Sequence, residues 1–384
     1  MKSITNLAVR TKPLLVLGFT IILITSMNII SYAQNEPVLK NVFKNDFLIG
    51  AAVNRWQISG EDTIGDEIIK TQFNSITPEN VLKWGPVHPK PGIYNFKPAD
   101  EYVAFGEKNH MFIIGHTLVW HSQTPKWVFE DSSGNPLTRA ELLQRMHDHI
   151  QTLVGRYKGK IKGWDVVNEA LNEDGSLRQS PWMKIIGEDY IEKAFEYAHE
   201  ADPDAELYYN DYSLENKPKR DGAIKLINKL KSEGIHISGI GDQMHAKMDW
   251  PTISQIDSTF SDFEKLGIKV MITELDIDAL PYQHENHTAE VSLRFQNNPK
   301  LNPYKNGLPD SVNLEIANRY AGFFKTFIKY KSIISRVTFW GVRNSDSWLN
   351  NWPVPGRTNY PLPFDRSGKP NLSFQKIIET AETN

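Results

Sequence analysis

The sequence predicts a single (β/α)8 barrel, an α/β fold closed on itself, and three observations carry that prediction. Short apolar runs rich in β-branched residues alternate with amphipathic stretches from residue 45 to 382. Runs such as Phe112-Ile113-Ile114 and Val270-Met271-Ile272 suit strands buried on both faces, as parallel sheets require. No Gly-x-Gly-x-x-Gly follows the first run and no Pro/Ser/Gly-rich linker interrupts the alternation, so closure is favoured over an open doubly wound sheet.

The expected strands, in order, are Phe47–Val53, Phe73–Thr77, Met111–Val119, Ile161–Val167, Ala205–Tyr209, Ile237–Met244, Lys269–Leu275 and Arg336–Trp340. The expected helices are Asp62–Thr71, Ala99–Asn109, Arg139–Tyr157, Asp189–Ala201, Lys219–Ser232, Ile253–Leu266, Leu314–Ile328 and Ser373–Thr380. Thr138 followed by Glu141 reads as a capping box, while Pro203, Gly234 and Gly267 mark helix ends. Ahead of the barrel, Lys2, Arg10 and Lys12 precede the apolar stretch Leu14–Ile30 and the small-x-small run Ser31-Tyr32-Ala33. This is the pattern of a cleaved signal peptide over residues 1–33, with a lead-in over 34–44, and it predicts export to the periplasm or beyond. No membrane attachment is expected after cleavage.

Composition narrows the function classes. The 384 residues include no cysteine, which excludes disulfides, thiol nucleophiles and Cys-ligated metals. A formal net charge of −3, three units more negative without the leader, gives no electrostatic footprint for nucleic acid. Ten Trp in a chain without disulfides call for a large core or a surface that stacks on flat ligands.

In such barrels the site lies at the C-terminal ends of the strands. Those ends carry Glu79 and Asn80 with Lys83 and Trp84 after strand two, and His116, Trp120 and His121 on strand three. Strand four brings Asp165, Asn168 and Glu169, and strand five brings Asn210 and Tyr212. Gln243 and His245 follow on strand six, Glu274, Asp276 and Asp278 on strand seven, and Trp340 and Trp348 at strand eight. Carboxylates, amides, imidazoles and indoles together suit a polyhydroxylated substrate, and two carboxylates suit glycosidic cleavage. The pattern alone does not rank Glu79, Glu169, Glu274, Asp165, Asp276 and Asp278. By strand alternation Asp165 shares a face with Glu169 unless a bulge intervenes.

The Gly115–His121 segment, the Trp-Asp-Val-Val-Asn-Glu-Ala run at 164–170 and the Ile-Thr-Glu-Leu-Asp run at 272–276 resemble glycoside hydrolase family 10, the endo-β-1,4-xylanases, over about residues 45–380. The resemblance implies endo-hydrolysis of xylan with retention, Glu169 matching the acid/base and Glu274 the nucleophile. It also implies that Asn168 holds the sugar 2-hydroxyl and that His245 and Asp276 hydrogen-bond around Glu274. Glu79, Asn80, Lys83, His116 and Gln243 would bind hydroxyls, Trp84, Trp120, Trp340 and Trp348 would wall the subsites, and Tyr212 would lie nearby. Asn344 departs from the pattern, where Asp is more usual. Trp56, Trp127, Trp164 and Trp182 are expected to serve packing. No cofactor or metal is implied, and xylan is the expected partner of a monomer. The rival readings are an endo-β-1,4-glucanase and a non-catalytic carbohydrate-binding homologue.

Overall fold

The computed structural model describes residues 37–281, 291, 294–296 and 299–382. The signal segment predicted over residues 1–33 lies outside these.

Nine parallel strands form the sheet: β1 (Leu48–Val53), β2 (Ser75–Pro78), β3 (Phe112–Trp120), β4 (Gly163–Asn168), β5 (Glu206–Asp211), β6 (Gly239–Asp242), β7 (His245–Lys247), β8 (Lys269–Asp278) and β9 (Ile334–Phe339). Each strand from β1 to β6 pairs with the next, β6 pairs with β8, and β9 closes on β1, so eight strands complete a barrel. The ninth arises because the expected sixth strand is broken. Met244 takes a left-handed backbone (φ 53°), after which β7 runs beside the far end of β8.

The surrounding helices are α1 (Thr63–Gln72), α2 (Lys97–Lys108), α3 (Arg139–Arg156), α4 (Tyr190–Ala201), α5 (Lys217–Ser232), α6 (Ile253–Glu264), α7 (Asp310–Lys329) and α8 (Leu372–Glu382). Their starts follow local chemistry. The Thr138–Glu141 capping box forms at α3, and Thr252 with Gln255 makes a second at α6. Pro98 and Pro218 sit in the first turns of α2 and α5, where a missing N–H costs nothing. Helix α7 begins at Asp310, earlier than its apolar periodicity shows, because Pro309 sets the entry and an acidic first turn favours the helix dipole. The short helix Leu39–Val42 packs Leu39 and the following Phe43 into the same core. Among the described residues no helix is long and apolar enough to cross a membrane.

Most apolar burial lies between the barrel and its helices, while a separate cluster of Ile114, Tyr208 and Met271 fills the barrel interior. Arg336 is buried with its guanidinium 5.6 Å from the Tyr208 ring centroid. Glycine makes room where large rings enter: a Cβ on Gly115 would lie 2.0 Å from the fully buried Trp164 indole. Gly115→Ala is therefore expected to lose about 1–3 kcal/mol by overpacking. A fall in the denaturation midpoint, with the urea dependence unchanged, is the outcome to measure; an unchanged midpoint would mean that the indole can shift.

Candidate active site

The strand ends open into a cleft of about 150 Å³. Glu79, Asn80 and Lys83 line it from the β2 side, His116, Trp120 and Gln123 from β3, and Asn168 and Glu169 from β4. Gln243, His245 and Glu274 face them from β6–β8, with Trp340, Trp348 and Val291 completing the wall. The Glu79 amide is fixed by the Val53 carbonyl at 3.0 Å. Lys83 donates to Asn80 Oδ1 (3.3 Å), and its ammonium stands 5.1 Å from the Trp120 ring and 5.9 Å from the Trp340 ring.

Two carboxylates are joined across this cleft by amides. Asn210 Nδ2 donates to Glu274 Oε1 and to Asn168 Oδ1, each at 2.9 Å. Asn168 Nδ2 in turn donates to Glu169 Oε1 (3.2 Å), which also accepts from Gln243 Nε2 (3.1 Å). Trp120 Nε1 donates to the other oxygen of Glu169 at 2.8 Å. On the opposite side, His245 Nε2 lies 3.3 Å from Glu274 Oε2 and its Nδ1 lies 2.9 Å from Asp276 Oδ1. The β7–β8 register sets His245 directly opposite Asp276, and Trp348 Nε1 donates to the second Asp276 oxygen at 2.8 Å.

The environments push the two glutamates apart. Burial raises Glu169; the charge of His121 opposes it most, Asp211 adds to the rise, and hydrogen bonds from Gln243 and Trp120 take back less. Burial also acts to raise Glu274, but the His245 hydrogen bond and the pull of His116, His245 and Lys83 reverse it and leave the carboxyl below its usual range. His245 is pushed up to about 10: burial opposes the charged ring, and Asp276 and Glu274 together outweigh burial. An imidazolium therefore sits between two carboxylates. Glu79 is raised by burial, and Lys83 is lowered by burial despite three glutamates around it.

Several expected residues stand elsewhere. Trp84 is buried and stacks on His149 with centroids 3.7 Å apart, so it packs against α3 and does not line the cleft. Tyr212 is also behind the cleft wall, its ring 3.4 Å from the Lys219 ammonium and its hydroxyl 2.9 Å from Arg178. Asp276 acts through His245. Trp56, expected in packing, is 54% exposed, because the short helix Arg55–Ile58 caps on Asn54 and turns the indole outward. Asp165 does not share a face with Glu169: the register shifts between Asp165 and Val167, and Asp165 instead binds His116 Nδ1 at 2.9 Å. Asn344 is buried, its side-chain oxygen accepting from the Leu362 amide at 2.8 Å, so the neutral amide closes its loop. Asn210 was visible at a strand end but carried no sequence signal for its bridging role; only the pairing of β4 with β5 brings it beside Asn168.

Comparisons with known proteins converge. The model of glycosyl hydrolase family 10 matches residues 38–380. Endo-1,4-beta-xylanase A of Xylanibacter ruminicola is 46% identical over 354 residues, 92% of this chain and 96% of its own. The beta-1,4-xylanase of Dictyoglomus thermophilum is 45% identical over 346 residues, covering 89% and 91%. Among solved structures, a GH10 endoxylanase from a sugarcane soil metagenome superposes with a TM-score of 0.86 at 45% identity, covering 89% of this chain and 99% of that one. The xylanase XynB of Paenibacillus barcinonensis, solved with a conduramine derivative, gives 0.81 at 38% identity, covering 90% and 99%.

The charged His245 has a pH consequence whose sign is fixed. The unfolded chain releases this proton near pH 6.5, whereas the folded protein keeps it to about pH 10. Its stabilisation is complete below about pH 6.5 and is withdrawn as pH rises through the folded value. The stability gap between wild type and His245→Asn is therefore expected to be widest in mild acid and to narrow above neutrality. NMR titration of the ring should give a midpoint near 10 that Asp276→Asn lowers; a midpoint near 6.5 would remove the imidazolium.

Proposed function

The chain belongs to glycosyl hydrolase family 10, and from that premise we propose Glu169 as its acid/base and Glu274 as its nucleophile. The enzyme is an endo-1,4-β-xylanase that hydrolyses internal bonds of xylan with net retention. The observation that supports the two roles is the amide-linked pair of buried carboxylates with an imidazolium beside only one of them.

Glu169, whose carboxyl burial shifts toward the protonated form, gives its proton to the glycosidic oxygen as that bond breaks. Glu274, kept ionised by His245 and Lys83, attacks the anomeric carbon and forms a glycosyl–enzyme ester. Glu169 is now a carboxylate and takes a proton from water, which displaces Glu274 and restores both groups. In this reading Asn168 meets the 2-hydroxyl, and Glu79, Asn80, Lys83, His116 and Gln243 bind the other hydroxyls. Trp340 and Trp348 wall the sugar rings, with Trp120 holding Glu169 from behind. His245 and Asp276 set the charge of Glu274.

We infer that the enzyme is exported and acts as a monomer on a domain spanning residues 45–382. Residues 1–33 are its signal peptide and 34–44 its lead-in, of which Leu39 and Phe43 pack onto the barrel.

The first product released from a xylo-oligosaccharide is expected to be the β-anomer by NMR; an α-anomer would overturn retention. Glu274→Ala should lose on the order of 10⁴-fold or more in kcat. Reducing-sugar release should favour xylan over carboxymethylcellulose, and the reverse preference would transfer the enzyme to the glucanases.

A further inference from the structure

We propose that Arg178 is a positioning residue for the Glu169 carboxyl, gripping the backbone of Glu169 and the hydroxyl of Tyr212 in one guanidinium fork. The inference rests on the acid/base reading of Glu169.

Glu169 has a left-handed backbone, φ 57°, at the end of β4. For a residue with a Cβ this conformation is strained and persists only where neighbours over-determine it. Both flanking peptide groups are held. The Glu169 N–H donates to the Asn210 carbonyl at 2.8 Å, and the Glu169 carbonyl accepts from Arg178 Nε at 3.1 Å. The same guanidinium donates through Nη2 to the Tyr212 hydroxyl at 2.9 Å and lies 3.5 Å from the Leu171 carbonyl.

Arg178 reaches this place by a built route. After Ala170 the chain turns out and back, with Leu171 bridging Leu177, and the Arg178 amide donates to the Ala170 carbonyl at 2.7 Å. The turn contains Gly175 at φ 81°, seated on α5 so closely that a Cβ there would lie 2.3 Å from the Pro218 carbonyl oxygen. Asn216 donates to the Glu173 carbonyl at 3.2 Å, tying the turn to the start of α5. The guanidinium therefore arrives from a fixed base. Proton transfer demands that the acid lie within hydrogen-bond reach of the leaving oxygen, and a tilt of this peptide would swing the carboxyl away from it. A lysine offers one point charge in place of the planar fork and cannot hold both partners in the same geometry.

The test compares two substrates on one enzyme sample, so the folded fraction cancels. A 2,4-dinitrophenyl xylobioside releases 2,4-dinitrophenolate, a stable anion that needs no proton to leave, whereas the sugar leaving group of an unsubstituted xylo-oligosaccharide needs one. In Arg178→Lys and Arg178→Met, kcat/KM for the oligosaccharide should fall about tenfold or more, part of the range general acid catalysis supplies. For the dinitrophenyl substrate it should stay within about twofold of wild type, since the proton-dependent share is absent. Equal losses on both substrates, or none on either, would overturn the inference and leave Arg178 a purely structural residue. Glu169→Ala separates the two levels. If it too loses both activities equally, the acid/base reading fails; if it is selective while the Arg178 variants are not, only the positioning role falls.

Discussion

The orientation of one carboxamide governs the whole cleft. A carboxylate only accepts, so the Asn210 side chain must turn its nitrogen toward Glu274; its oxygen then takes the Thr273 hydroxyl at 2.7 Å. The second amide hydrogen of Asn210 is spent on Asn168 Oδ1. Asn168 is thereby left with its nitrogen facing Glu169 Oε1, so donation runs outward from Asn210 and ends on a glutamate at either side. Reversing any amide would place oxygen against oxygen in a buried site, where an unmade hydrogen bond is expensive. The orientation of Glu274 and the placement of Glu169 thus depend on a residue that touches neither bond broken nor bond formed.

The barrel supplies this arrangement by departing from ideal strands at its catalytic end. Glu169, Ser213 and Met244, beyond the bodies of β4, β5 and β6, all adopt left-handed backbone with side chains present. The register slips on both sides of β4. These breaks release side chains from strict alternation, so that Asp165 faces His116 while Glu169 faces the cleft. Strain of this kind is tolerated because the helices and the buried core fix the strands from outside.

How much could be read beforehand follows from the same physics. Periodicity and capping chemistry located every barrel strand and helix, since burial on two faces and the Thr138 box are local signals. Glu169 and Glu274 stood out through the motifs around them, together with most of the cleft wall. Trp84 and Trp56 were misplaced because an indole carries no mark of which neighbour it meets: one stacks on His149 from α3, the other is turned outward by an Asn54 cap. Asp165, Asn210 and Arg178 act through register slips and a returning turn, which depend on pairing between distant segments.

The division of labour between the two glutamates is finally a matter of burial and of where charge is placed around them. Glu274 has the His245 imidazolium and Lys83 on its side, and the proton on His245 is itself held by Asp276. Glu169 has Asp211 behind it, and Asp211 is not left bare: the buried Lys219 ammonium stands 3.0 Å from its carboxylate. That pairing limits how far Asp211 can add to the rise that burial imposes on Glu169. The surroundings, and not the glutamates themselves, decide which one holds the proton: burial prevails at Glu169, whereas His245, His116 and Lys83 overcome burial at Glu274.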